Sequence, residues 1–159
     1  MNSEILFNKK IKLLYIDDEE NNLHALKATF RREFDVDIAI STAEARPLLE
    51  KHSYEVIISD QRMPDQTGVE FFQEIKFTHP DPVRILLTGY ADITAVVDAI
   101  NMGEIYRYLQ KPWNELELSA SIYAASELFR LRASNIELTE KYKRVNKQME
   151  FLVRQSMIS

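Results

Sequence analysis

The chain has no cysteine, which excludes disulfides and thiolate metal sites. Glycine and proline are scarce, three and five in 159 residues, which argues against disordered or low-complexity tracts. No apolar run approaches the roughly 20 residues of a membrane span, and the opening MNSEILFNKK lacks the apolar centre of a signal peptide. Basic residues do not gather on any stretch. The formal charge is -5 with acids and bases interspersed, leaving no patch for nucleic acid and no polybasic run for a membrane surface. The expectation is a cytoplasmic protein with neither nucleic acid nor membrane as a direct partner. At this length, with 45% hydrophobic residues, the chain supports one ordinary core and an appendage.

What is present alternates. Lys10 to Ile16 is an apolar run of strand length, followed at once by Asp17, Asp18, Glu19 and Glu20. Leu23, Leu26 and Phe30, spaced three and four apart, predict an amphipathic helix from Asn22 to about Glu33. Val36, Ile38 and Ile40 alternate as a short strand, and Ser41 with Glu44 forms a capping box for the next helix, in which Pro47 predicts a kink or a late start. Val56, Ile57 and Ile58 read as a strand buried on both faces that ends on Asp60. Thr67 and Glu70 cap another helix, with Val69, Phe72 and Ile75 on its buried stripe. Val83 to Leu87 is a fourth strand ending on Thr88-Gly89. Ile93, Val96, Val97 and Ile100 mark a helix, Glu104 to Leu109 is a fifth strand, and Asn114 with Glu117 caps a last helix. Five strands alternating with five helices predict an α/β fold, a doubly wound parallel sheet; the alternation does not set strand order, and the flavodoxin-like 2-1-3-4-5 is expected as the commoner solution for five strands.

Parallel strands would bring Asp17, Asp18, Asp60, Thr88 and Lys111 to one sheet edge, where open α/β sheets bind ligands. Two carboxylates about 4 Å apart repel by about 4 kcal/mol at an effective dielectric near 20, so three together require a cation or shifted pKa values. All-oxygen ligands favour Mg²⁺, which takes one or two carboxylates and completes its octahedron with water and phosphoryl oxygen. Lys111 brings a compact positive charge and Thr88 a hydroxyl for the remaining oxygens of a phosphoryl group.

These residues, with Asp60-Gln61-Arg62-Met63-Pro64, Thr88-Gly89 and Tyr108-Leu109-Gln110-Lys111-Pro112 in order and spacing, resemble the receiver domain of two-component response regulators over about residues 10 to 127. The resemblance implies that Asp60 is the phospho-acceptor, served by a sensor histidine kinase or phosphotransfer protein. It implies Mg²⁺ on Asp17, Asp18, Asp60 and the backbone carbonyl of Arg62. Thr88 and Tyr108 correspond to the switch pair, Lys111 to the phosphate-contacting lysine, and the Lys111-Pro112 bond to a cis peptide. Arg62 and Tyr90 fall where side chains flank the attacking water and set the lifetime of the acyl phosphate. Such a domain signals rather than turns over substrate, catalysing at most its own phosphorylation and dephosphorylation. Two alternatives stand beside this reading: a constitutive dimerisation or scaffold module that needs no phosphate, and a Mg²⁺-dependent phosphatase, for which no second general acid is in view.

Helix-forming sequence continues to Ser159 with no proline or glycine after Pro112. A helix of about 40 residues would reach about 60 Å, against a mean of about 12 residues in globular proteins. Leu128, Leu131, Asn135, Leu138, Tyr142, Val145, Met149 and Leu152 step by three and four, an a/d seam over about four heptads. The predicted division is therefore a receiver over 1–127 and a helical extension over 128–159, a parallel coiled-coil dimerisation segment or a linker. Asn135 at an a position is the clue to parallel, two-stranded pairing. The alternatives are a solvated helix or one folded back on its own receiver.

Overall fold

Residues 9–89 and 93–158 are described by a computed structural model. The elements are β1 (Lys12–Ile16), α1 (Glu20–Phe30), β2 (Asp35–Ala39), α2 (Thr42–Lys51), β3 (Val56–Asp60), α3 (Gly68–Ile75), β4 (Val83–Thr88), α4 (Ile93–Asn101), β5 (Arg107–Gln110) and α5 (Glu115–Ile158). All strand pairings are parallel, as the alternation predicts, and the order is β2-β1-β3-β4-β5, the commoner doubly wound arrangement expected for five strands.

Successive strand residues face opposite sides of the sheet, and both sides are covered. Leu13 and Tyr15 of β1, Val56 and Ile58 of β3, and Ile85 and Leu87 of β4 pack under α1 and α5, against Leu23, Leu26, Phe30, Leu118, Ile122 and Ala125. Leu14, Ile16, Ile57 and Leu86 point the other way, into a core with Ala45 and Leu49 of α2, Phe71, Phe72 and Ile75 of α3, and Val96 and Ala99 of α4. Burial on both faces is why these strands are continuous apolar runs rather than alternating ones.

The helix starts follow the capping chemistry. Ser41 Oγ accepts the Glu44 N–H at 3.1 Å while the Glu44 carboxylate accepts the Ile40 N–H at 2.8 Å. Thr67 Oγ1 likewise accepts the Glu70 N–H at 3.1 Å. With that cap in place α2 begins at Thr42 and runs through Pro47, so the late start expected at Pro47 does not occur. Other boundaries shift by a few residues: α1 starts at Glu20 rather than Asn22, and β5 spans Arg107–Gln110 rather than starting at Glu104. The stripe expected on α4 is narrower than its spacing suggested. Val96 and Ala99 are buried, but Ile93 and Val97 are 45% and 41% exposed, because α4 touches the sheet along one line only.

The last helix is a single element of 44 residues. It stays on the sheet through Leu128 and Phe129, which pack on the core, and Arg130, which is buried. The alternative in which it folds back on the receiver is not what the structure has. From Asn135 to Ile158 every residue is exposed. Among the described residues no helix is long and apolar enough to cross a membrane.

Candidate functional site

The C-terminal ends of the strands are brought level by register. Ile16 pairs with Ser59, Asp60 with Leu87, and Thr88 with Gln110. Three backbone bonds carry the sheet one residue further, from Asp17 N–H to the Ala39 carbonyl at 3.1 Å, from Gln61 N–H to Leu87 at 3.0 Å, and from Lys111 N–H to Thr88 at 3.0 Å. Asp17, Asp60 and Lys111 are therefore held on main chain rather than on free loops. The Lys111-Pro112 peptide is cis.

Oxygens of Asp17, Asp18 and Asp60 lie within 4.8 Å of one another. Lys111 sits among them, its Nζ 3.0 Å from Asp17 Oδ2 and 3.2 Å from Asp60 Oδ1. With three carboxylates against one ammonium the negative charge is in excess, and the two side chains of the pair respond differently. Burial raises the Asp60 carboxyl above the usual range; Lys111 works against that rise, and the charge of Asp17 adds to it. Burial alone would lower the Lys111 ammonium, but hydrogen bonding to Asp17 and the charges of Asp60 and Asp17 outweigh it, so Lys111 ends above its ordinary value. A donor set of three carboxylates with uncompensated charge suits a hard divalent cation such as Mg²⁺, which would neutralise the excess.

Asp17 is fully buried and densely bonded. Its Oδ2 accepts the Tyr15 hydroxyl at 2.6 Å, and its Oδ1 accepts the Glu19 N–H at 2.9 Å. Burial first, and then the hydrogen bond to Asp17, push the Tyr15 hydroxyl far above its ordinary pKa, so it remains a donor. Neither Tyr15 nor Asn22, which reaches the same carboxylate at 3.3 and 3.4 Å, is singled out by motif spacing. The signal for Tyr15 was present in another form: a strand places residues i and i+2 on one face, so a tyrosine two before an aspartate points where the aspartate points.

The loop after Asp60 is fastened from below. Gln61 is buried, its carbonyl accepts the Gly68 N–H at 3.0 Å and its Oε1 accepts the Val69 N–H at 3.0 Å, so it holds the first turn of α3. A Cβ on Gly68 would lie 2.5 Å from the Asp60 carbonyl oxygen and 2.7 Å from Leu86 Cδ1. Glycine is required there because helix and strand end touch. Arg62 is exposed on this loop.

Thr88 is buried, and its hydroxyl donates to the Gly89 carbonyl at 3.1 Å. Leu86 pairs with Tyr108, and since Thr88 is two residues beyond Leu86, Thr88 and Tyr108 stand on the same face of the sheet. The Tyr108 side chain is turned outward, at 37% exposed, beside Tyr106. Tyr90 lies outside the described residues. Trp113 packs on Phe30 with ring centroids 5.8 Å apart, a partner of the core rather than of the acid cluster.

The seam residues lie far from this edge. Leu131, Leu138, Tyr142, Val145, Met149 and Leu152 are 45–69% exposed. At 3.6 residues per turn they project about half a turn away from Leu118, Ile122 and Ala125, the side of α5 that docks on the sheet. Leu128 falls at the flank between these two faces, and it packs on the receiver core.

The sequence pattern of the response regulator receiver domain matches residues 13–123. The chain belongs to that family, a module of two-component signalling. It is 42% identical over 106 residues to the hydrogenase transcriptional regulatory protein HoxA of Cupriavidus necator, an alignment covering 67% of this chain and 22% of HoxA. The fold superimposes on a structure described as adenylate cyclase from Rhodopirellula baltica with a TM-score of 0.81 at 32% identity, covering 84% of this chain and 99% of that one. A beryllofluoride-activated NtrC4 receiver domain dimer matches with a TM-score of 0.69 at 34% identity, covering 74% of this chain and 98% of that one. The chain spans about a quarter of the length of HoxA and of most other curated relatives it matches. Receiver domains are in general signalling modules rather than enzymes, and they bind Mg²⁺ at an acidic pocket of this kind.

Proposed function

We propose that the chain is a phosphorylation-dependent switch in which Asp60 accepts a phosphoryl group from the phosphohistidine of a sensor kinase or phosphotransfer protein. An Asp60 carboxylate oxygen attacks phosphorus in line, the P–N bond breaks, and the leaving imidazole keeps that electron pair and takes a proton from solvent. Asp17, Asp18, Asp60 and the Arg62 carbonyl would hold Mg²⁺, which supplies charge neutralisation at the transferring oxygens. Lys111, already between Asp17 and Asp60, pairs with the phosphoryl oxygens. Thr88 turns its hydroxyl from Gly89 toward the new oxygens, and Tyr108, on the same sheet face, follows inward from its exposed position. Arg62 and Tyr90 shield the acyl phosphate from water.

The single observation that carries this reading is the Lys111 ammonium bridging Asp17 and Asp60 beside Asp18. It is tested by intact mass after incubation with Mg²⁺ and acetyl phosphate. A phosphoryl adduct that Asp60→Asn abolishes is the expected result. No adduct on the parent chain favours a scaffold module, and steady phosphate release without an adduct favours a phosphatase.

In this reading the output is α5. Its receiver part runs through Arg130, and its extension joins two copies in a parallel coiled coil along Leu131, Asn135, Leu138, Tyr142, Val145, Met149 and Leu152. The observation in favour is that this stripe is exposed and faces away from its own receiver, so a second copy can cover it without undocking α5.

A further inference from the structure

Tyr15 is the one polar side chain in β1 that is fully buried, and its hydroxyl is spent on a site residue rather than on solvent or main chain. The four donors on Asp17 are not equally disposed. Oδ2 takes Tyr15 Oη at 2.6 Å, Lys111 Nζ at 3.0 Å and, at longer range, Asn22 Nδ2 at 3.3 Å. Among the described residues Oδ1 takes the Glu19 N–H at 2.9 Å and a still longer contact from Asn22 at 3.4 Å. A carboxylate oxygen offers about two lone-pair positions, so Tyr15 and Lys111 fill Oδ2, while Oδ1 holds one close donor, the Glu19 N–H, and keeps capacity for another ligand in place of the long Asn22 contact. Lys111 is shared with Asp60 and its side chain is 27% exposed, so it is not dedicated to Asp17. Tyr15, locked under α1 and α5, is.

Resting on the function proposed above, we infer that Tyr15 is a positioning residue of the phosphorylation site: its hydroxyl holds the Asp17 carboxylate in the one rotation that presents it to Mg²⁺. It touches neither cation nor phosphoryl group and acts through Asp17 alone. Hydrogen-bond partners behind a metal ligand commonly contribute about 10- to 100-fold to metal affinity or activity. Tyr15→Phe keeps the ring, and with it the packing under α1 and α5, while removing only the donor.

The test is a Mg²⁺ titration of the full chain by calorimetry, repeated by fluorescence of Trp113, the single tryptophan, which with Tyr15, Asn22 and Lys111 lines one hollow beside the site. Tyr15→Phe is expected to weaken Mg²⁺ binding about ten-fold or more. Its melting temperature in chelator should fall only modestly, by what one hydrogen bond to a buried carboxylate contributes. In acetyl phosphate labelling, the Mg²⁺ concentration for half-maximal rate should rise in proportion while the rate at saturating Mg²⁺ holds, a split that a purely structural role does not produce. Asn22→Ala removes the longer contacts to the same carboxylate without entering the core, and a smaller loss in the same direction is expected. Mg²⁺ affinity of Tyr15→Phe within about two-fold of the parent overturns the proposal even if labelling of Asp60 proceeds normally. A flat titration of the parent overturns the Mg²⁺ site itself, and this proposal with it.

Discussion

The Arg130 guanidinium grips Glu55 through two nitrogens, Nε to Oε1 at 2.7 Å and Nη2 to Oε2 at 3.1 Å, with both side chains 9% exposed. Ser126 adds a hydroxyl to Oε1 at 2.9 Å, and Arg130 Nη2 also reaches the Lys9 carbonyl at 2.8 Å. Glu55 immediately precedes β3, the strand that ends on Asp60, so one strand bears the proposed phosphorylation site at its far end and the helix anchor at its near end.

Breaking such a pair from one side leaves a buried charge alone. Arg130→Ala and Glu55→Ala are each expected to lower unfolding free energy by about 3–5 kcal/mol, and the pair replaced together by apolar residues of similar volume to recover much of it. Urea denaturation of the four proteins checks this. Single variants no weaker than the double would show that the pair contributes little.

Asp60 provides a pH signature. Its native carboxyl is raised above the unfolded value, chiefly by burial. Between the unfolded and the native pKa the native state holds more protons, so stability falls as pH rises through that interval, and the penalty is complete above the native pKa. Asp60→Asn should therefore melt higher than the parent at neutral pH without metal. The gap should close as pH falls below the ordinary carboxylate range, and narrow when Mg²⁺ is added to the parent. Melting curves from pH 3 to 8 with and without Mg²⁺ decide it; a parent more stable than Asp60→Asn at pH 7 in chelator contradicts it.

Gly68→Ala forces a Cβ onto the Asp60 carbonyl and Leu86. Overpacking of this kind typically costs about 1–3 kcal/mol, and here the neighbour that must yield is main chain at the site. The expected outcome is a loss of that size by denaturation together with slower acetyl phosphate labelling. Unchanged labelling would show that the strand end adjusts without moving the carboxylate.

The coiled-coil reading predicts a dimer for the full chain and a monomer for a chain stopped after Ser134, compared by sedimentation with and without phosphodonor. Asn135→Leu should strengthen association and lose the strict two-strand preference, since a buried asparagine fixes register at some cost in stability. Flanking positions Arg132, Thr139, Lys141, Asn146 and Gln148 offer no acid for pairing across the seam, so the parent dimer should be weak. Two monomers at tens of micromolar would end the reading.

Helix count and the acid edge were legible because each rests on a local signal: apolar runs on both-face-buried strands, capping boxes at Ser41 and Thr67, and acids placed where strands stop. Strand order has no such signal and was expected only as the commoner arrangement of five parallel strands. The extent of α4's buried face was not legible, because Ile93 and Val97 satisfy the helical period yet look outward, and only the sheet's width decides which side is covered. Glu55 and Arg130 are 75 residues apart and read as ordinary surface charges until the fold brings them together. Gly68 gave no sign of its constraint, which comes from a close approach between α3 and the end of β3 rather than from a turn. Tyr15 was hidden by its company, a hydroxyl inside an apolar strand.

The anchoring of α5 gives the molecule an arm. Beyond Arg130 the helix continues for 28 residues to Ile158, a length of about 42 Å at 1.5 Å per residue that is exposed throughout from Asn135. A tilt of about 5° at the Glu55 grip moves the far end by about 4 Å, several times the displacement at the base. A receiver that shifts its surface by fractions of an ångström would thus be read at the tip as a change of position large enough to bring two partners into register or to part them.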